Sequence, residues 1–279
     1  MWILKKPDLR KAKKDIDVVL AHCNKLNSGD KPLLEQLYYD YDNGGGAVTP
    51  LQLLPLDGKK EIIREQYAKT LGKRADKRRN NPLVYIRTEL NKNVEKCPYC
   101  SINSRQQLDH YMDKSAYGQL AVCRLNLVPL CGTCNNRKGD KSYTDFVHPY
   151  YQQFPQTNFL VADCKIVKNR VVATFRIDKA ALNDNALAEK IEKQIVHIRL
   201  RQRLQKAKTE FLSQTFLSFC GSTDAELKAF LTLHLQQTSA LYGRNDWRTA
   251  LLRGLSICPQ FDVNVVKNMV SKPINGGGA

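Results

Sequence analysis

The sequence predicts an α+β protein: mainly helical N- and C-terminal regions flank a small metal-held core, and a β-hairpin follows that core. Three observations lead there. Apolar residues recur at helical spacing through much of the first 90 residues and again from about Asn183. Two β-rich runs, 159–167 and 171–177, are joined by Lys168-Asn169-Arg170, which reads as a hairpin turn. Between these regions stand two C-x2-C pairs, Cys97/Cys100 and Cys131/Cys134. The expected divisions are a basic helical region over 1–92, a four-cysteine core over 93–150, and a hairpin with a helical domain over 151–279.

In chain order, Leu9 to Leu20 is a lysine-rich amphipathic helix. A second, Leu33 to Tyr41, ends at Asn43-Gly44-Gly45-Gly46, where glycine permits the positive φ of a loop. Pro50 to Pro55 reads as irregular. Lys59 to Leu71 is helical and runs into a basic stretch containing Lys73, Arg74, Lys77, Arg78 and Arg79, read either as a nucleic-acid contact or as a solvated linker. After the hairpin, Leu187, Ile191, Ile195 and Ile198 form an apolar stripe that Leu204, Ala207, Phe211 and Leu212 continue. Arg199, Arg201, Arg203, Lys206 and Lys208 decorate it. Thr223 and Glu226 match a capping box for a helix reaching about Tyr242, before Gly243. Asn245-Asp246-Trp247-Arg248 starts a last short helix.

Forty-four Lys+Arg against 27 Asp+Glu leave a net charge of +17. A surplus of that size favours polyanionic partners, nucleic acid above all. It resides in the flanks, while residues 101–150 are nearly neutral. The basic helices lack the strongly apolar face with interfacial aromatics that membrane-surface binding needs. No apolar run approaches the roughly 20 residues of a membrane span, and the start lacks a secretory pattern. A soluble, cytoplasmic chain is expected. Nine cysteines, an odd number, then argue for metal ligands and buried thiols instead of disulfides. Cys97, Cys100, Cys131 and Cys134 are read as the ligands of one structural Zn2+, which takes four thiolates tetrahedrally. Cys23, Cys123, Cys164, Cys220 and Cys258 are read as buried thiols.

Thirty residues separate the two pairs, more than a zinc ribbon needs, so their content is informative. They hold Leu108-Asp109-His110-Tyr111-Met112-Asp113-Lys114-Ser115 and Asn126-Leu127-Val128-Pro129-Leu130, and Asn135-Asn136-Arg137-Lys138 follows Cys134. In type, order and spacing these segments resemble the HNH endonucleases over residues 95–150. The resemblance implies a ββα-metal core in which two strands and a helix surround one divalent ion. It further implies His110 as the general base that deprotonates water and Asp109 as a metal ligand beside it. Asn126 would support the catalytic loop, and Asn135 would be the second protein ligand. Lys138, one turn along, would contact phosphate, with Arg137 a weaker candidate. An ion held by two protein oxygens, waters and phosphate suits Mg2+, with Mn2+ or Ni2+ also fitting. Asp113 stands where the family often has Pro, although Lys114 and Ser115 are retained. His148, in a His-Pro-aromatic segment, is read as packing over the core or reaching the metal.

A core this small and nearly neutral needs help to grip a duplex, from the run 73–79, the helix around 199–208, or a partner. No base-reading helix is evident. The layout also resembles, loosely, the nuclease subunits of Septu- and retron-type anti-phage systems, which pair with an ATPase. DNA is the expected substrate. The alternatives are an RNA-cutting HNH nuclease and a catalytically silent, zinc-stabilised nucleic-acid adaptor.

Overall fold

A computed structural model describes residues 3–71, 81–105 and 107–271. The chain divides into two compact units, residues 2–153 and 154 onward.

In the first unit the longer helices form because each carries an inward stripe. Helix α1 (Leu9–Ala21) starts where the Asp8 side chain accepts from the Arg10 amide, and it buries Ala12, Asp15, Ile16 and Val19 at helical spacing. Helix α2 (Asp30–Asn43) lies against α1 and buries Leu34, Leu37, Tyr38 and Tyr41. Where irregular chain was expected, Pro50–Leu53 forms a turn of helix, α3, which continues as a 3-10 stretch over Leu54–Lys59. Thr49 and Gln52 close a capping box there, and Pro50 at the first helical position lacks only an N–H that would have had no helical partner. Helices α4 (Lys60–Thr70) and α5 (Val84–Asn91) complete the helical part. The basic run with Lys73, Arg74, Lys77, Arg78 and Arg79 lies outside the described residues.

These helices pack around a two-stranded antiparallel sheet. Strand β1 (Gln107–His110) pairs with β2 (Leu127–Leu130), with Asp109 opposite Val128 and His110 opposite Leu127. Helix α6 (Gly132–Lys138) follows at once. Two strands and a helix, with Cys131 as the helix cap, make the ββα arrangement. Gly46 shows how closely the N-terminal helices approach this core. It holds φ +90°, and a Cβ there would fall 2.4 Å from the His148 ring.

In the second unit β3 (Leu160–Val167) pairs with β4 (Arg170–Ile177). Val167 pairs with Arg170, so the turn is the two residues Lys168 and Asn169, both at positive φ as a type I′ turn requires. Strand β4 alternates strictly and buries Val171, Ala173, Phe175 and Ile177. The single helical stripe expected from Asn183 is interrupted. After the short α7 (Lys179–Leu182), α8 (Asn185–His197) ends at a left-handed Arg199, and α9 (Leu200–Phe216) starts afresh. From α9, Arg201 and Gln205 donate to the Phe175 and Ala173 carbonyls of β4, so Arg201, expected to decorate the helix surface, is engaged within the fold. Lys208, expected outside, is buried and donates to Gln205. The capping box of Thr223 and Glu226 opens α10 (Asp224–Tyr242). Helix α11 (Trp247–Ser256) packs on β3 so closely that a Cβ at Gly254 would meet the Ala162 carbonyl at 2.1 Å. It is not the last helix, since α12 (Val263–Ser271) follows. Of the five cysteines read as buried, Cys220 is exposed and Cys164 half-buried. Among the described residues no helix is long and apolar enough to cross a membrane.

Candidate active site and metal centre

The four cysteines of the two pairs converge. Their Sγ atoms all lie within 4.8 Å of one another and all four residues are buried. Tetrahedral Zn–S bonds of about 2.3 Å place sulfurs about 3.8 Å apart, and Cys100 Sγ to Cys131 Sγ is 3.8 Å. The backbone shapes both hairpins for this. Ser101 takes a positive φ and returns its amide to the Cys97 carbonyl at 2.8 Å, while Cys131 caps α6 by accepting from the Cys134 amide. A close set of four soft donors fits structural zinc.

Asp109 and His110 are neighbours at the end of β1, and the same charged groups, Lys114, Lys138 and Asp113, act on both. His110 is the last residue of the strand and only 6% exposed. Its Nε2 lies 2.9 Å from the Ala121 carbonyl. A carbonyl can only accept, so Nε2 carries the hydrogen and Nδ1 presents the lone pair. Burial, with Lys114 adding to it, lowers His110 to about 3, so the imidazole is neutral at pH 7. The Tyr67 ring of α4 stands edge-on against it, centroids 4.5 Å apart.

Asp109 shares its side of β1 with Gln107 two residues back. Gln107 accepts from the Asn135 amide of α6, which places Asn135 beside the Asp109 face. Burial raises the Asp109 carboxyl to about 6, against the pull of Lys138, and leaves it ionised at neutral pH. Its Oδ2 is buried against the Lys138 ammonium. Lys138 Nζ lies 3.0 Å from that oxygen and also donates to the His110 carbonyl at 2.7 Å. A buried carboxylate with an amide side chain on the same side of the strand fits an oxygen-preferring divalent ion. Lys138 corrects an expectation. It is 1% exposed and engaged by Asp109 and the strand end, so it braces the Asp-His dipeptide from within and is not presented to phosphate. Arg137, beside it on α6, is half-buried.

Asn126 is fully buried and uses its whole amide. Oδ1 accepts from the Met112 amide at 2.8 Å and the Tyr41 hydroxyl at 3.0 Å, and Nδ2 donates to the carbonyls of Met112 and Leu120. It thus ties together the two ends of the segment between the strands. Asp113, where the family often has Pro, makes its own turn, its Oδ2 accepting from the Ser115 and Ala116 amides. His148 packs instead of pointing at the site: Nδ1 accepts from the Tyr150 amide, Nε2 meets the Tyr41 hydroxyl at 3.1 Å, and the ring lies 4.0 Å from that of Tyr111.

Two contributors carry no local sequence signal. Tyr41 reaches Asn126 across 85 residues of chain. Arg124, 2% exposed, forks onto Asp15 of α1 at 2.6 and 2.7 Å and reaches Glu89 of α5 at 2.8 Å. The Tyr85 hydroxyl also donates to Asp15 at 2.6 Å. The helical region therefore clamps the segment that precedes Asn126.

Residues 97–141 match the sequence model of the HNH endonuclease family. No curated protein and no solved structure matches the chain. The chain thus carries an HNH domain, the metal-dependent nuclease type, with a four-cysteine cluster arranged as in a zinc site.

Proposed function

We propose that this chain is a metal-dependent DNA endonuclease. In this reading His110 is the general base, Asp109 and Asn135 hold the divalent ion, and Asn126 holds the catalytic loop. Zn2+ on the four cysteines keeps the core folded. The observation that carries the reading is the state of His110 beside Asp109. One imidazole nitrogen is spent on Ala121 and the other presents its lone pair, one residue from the buried, ionised Asp109 carboxylate.

Bound between Asp109, Asn135 and the scissile phosphate, Mg2+ would shield the charge that builds on phosphorus and on the leaving 3′ oxygen. The chain's own residues do the rest. His110 Nδ1 takes the proton of the attacking water, and the Ala121 carbonyl holds the ring in the tautomer that permits it. Burial disfavours the imidazolium, but an arriving phosphodiester anion favours it, so the base strengthens when substrate is present. Lys138 holds the Asp109 carboxylate and the His110 backbone in a fixed relation. Half-buried Arg137 and the basic run 73–79 are the proposed phosphate contacts.

The test is cleavage of supercoiled plasmid with Mg2+, Mn2+ or EDTA, alongside His110→Ala and a structured RNA. The expected result is metal-dependent nicking that falls by roughly 10²- to 10⁴-fold in the variant while zinc is retained. Cutting of RNA alone would replace the substrate. Binding without cutting would favour the silent adaptor, and full activity in the variant would refute the assignment of His110.

We further propose a role in anti-phage defence, in the cytoplasm where thiols stay reduced, with an ATPase as partner. Its support is the layout, an HNH core between a helical N-terminal region and a helical C-terminal unit. Purification from the native host without a co-purifying ATPase would count against it.

A further inference from the structure

The hydrogens between His148 and Asn126 have only one consistent arrangement. The Tyr150 amide can only donate, so His148 Nδ1 is the acceptor and the ring hydrogen sits on Nε2. Nε2 therefore donates to the Tyr41 oxygen, 3.1 Å away, and the single Tyr41 hydrogen goes to Asn126 Oδ1 at 3.0 Å. The Asn126 amide cannot be reversed either, because the Met112 amide donates to one end and the Met112 carbonyl accepts from the other. Tyr41 thus fills the second lone pair of Asn126 Oδ1. The second hydrogen of Nδ2 goes to Leu120, whose neighbour Ala121 supplies the carbonyl that orients His110. Tyr41, Asn126 and His148 are all at most 4% exposed, so bulk solvent does not reach the chain.

From this we propose that Tyr41, on a helix outside the residues matched by the family model, is a positioning residue for the general base. Through Asn126 it fixes the 120–121 carbonyls and so the ring plane and tautomer of His110. The proposal rests on the reading of His110 as the base, and it adds that helix α2 is part of the active site. Its hydroxyl touches no substrate, so removing it should misalign the base while leaving substrate binding intact.

The experiment uses the full-length chain with Tyr41→Phe, a change that deletes one oxygen and keeps the ring. Two readouts are taken. The first is steady-state cleavage of a duplex oligonucleotide, where kcat should fall about tenfold with KM within twofold. The second needs no activity: the ¹⁵N and Nε2–H resonances of His110, assigned by their absence in His110→Gln. The wild type should show a single Nε2–H tautomer with slow exchange, and Tyr41→Phe a mixed tautomer with fast exchange. A second pair approaches from the other side. His148→Leu should act like Tyr41→Phe, and His148→Gln, which keeps an N–H near the Nε2 position, should recover most of the loss. An unchanged His110 signature in Tyr41→Phe overturns the proposal, as does a loss expressed in KM alone. A wild type that cuts nothing would sink the nuclease reading, while the resonances would still decide whether Tyr41 positions His110.

Discussion

Replacing Arg124 by Met, Asp15 by Leu, and both together examines how the helices hold the segment that precedes Asn126. Burial pushes the Asp15 carboxyl up even with the guanidinium beside it. It also opposes the charge of Arg124, yet the Asp15 carboxylate more than compensates and Arg124 is shifted up. Such a pair is expensive to bury and more expensive to break. Arg124→Met leaves Asp15, 1% exposed, with only the Tyr85 hydroxyl among the described side chains, and should cost about 3–5 kcal/mol, the usual penalty for an orphaned buried charge. Asp15→Leu leaves Arg124 its contact with Glu89, whose side chain is 38% exposed, and should cost less. The double variant removes both charges from the interior and should recover about 2–3 kcal/mol relative to the sum of the singles. Urea unfolding in zinc-buffered solution, followed by circular dichroism, measures all four proteins. An Arg124→Met loss under about 1 kcal/mol, or two single losses that simply add, would refute the clamp.

Three other outcomes follow from the same geometry. Metal analysis should find one zinc per chain, and Cys131→Ser should lose it and unfold the core, because binding energies of about 10 kcal/mol or more are folding energy in such sites; a metal-free chain with an intact core would contradict this. His110 should make stability pH-sensitive. Its folded value of about 3 lies below the unfolded 6.5, so its contribution is complete above pH 6.5 and is lost as pH falls towards 3. The stability advantage of wild type over His110→Gln should therefore shrink by about 1.4 kcal/mol per pH unit between 6.5 and 4, and parallel pH curves would disprove the buried neutral state. At the β3–β4 turn, Lys168→Asn with Asn169→Gly should raise stability by about 0.5–1 kcal/mol, since both positions hold positive φ; a lower melting midpoint would argue against the type I′ turn.

Much of the local structure could be read from the chain because its causes are local. The capping box at Thr223 and Glu226, the hairpin around Lys168 and Asn169, and the stripe Leu187-Ile191-Ile195 each depend on neighbours within a few residues. The two C-x2-C pairs predicted their own convergence, because four thiolates at that spacing have one common solution. Two misses were also local. The helical turn at Pro50 was hidden by proline, which tolerates a helix start, and the stripe beyond Ile198 conceals a left-handed residue at Arg199 that no apolar pattern reports.

By itself, then, the sequence determined the residue types of the site and their order: a histidine beside an aspartate, the two asparagines, and the four cysteines. Only the tertiary structure decided what each of them faces. It turned Lys138 inward onto Asp109, gave His110 the Ala121 carbonyl, and brought Tyr41 and Asp15 to Asn126 and Arg124 from 85 and 109 residues away. The reason is physical. A buried polar group must find a partner wherever the fold provides one, and that partner's identity is a property of packing in three dimensions, with no trace in the spacing along the chain.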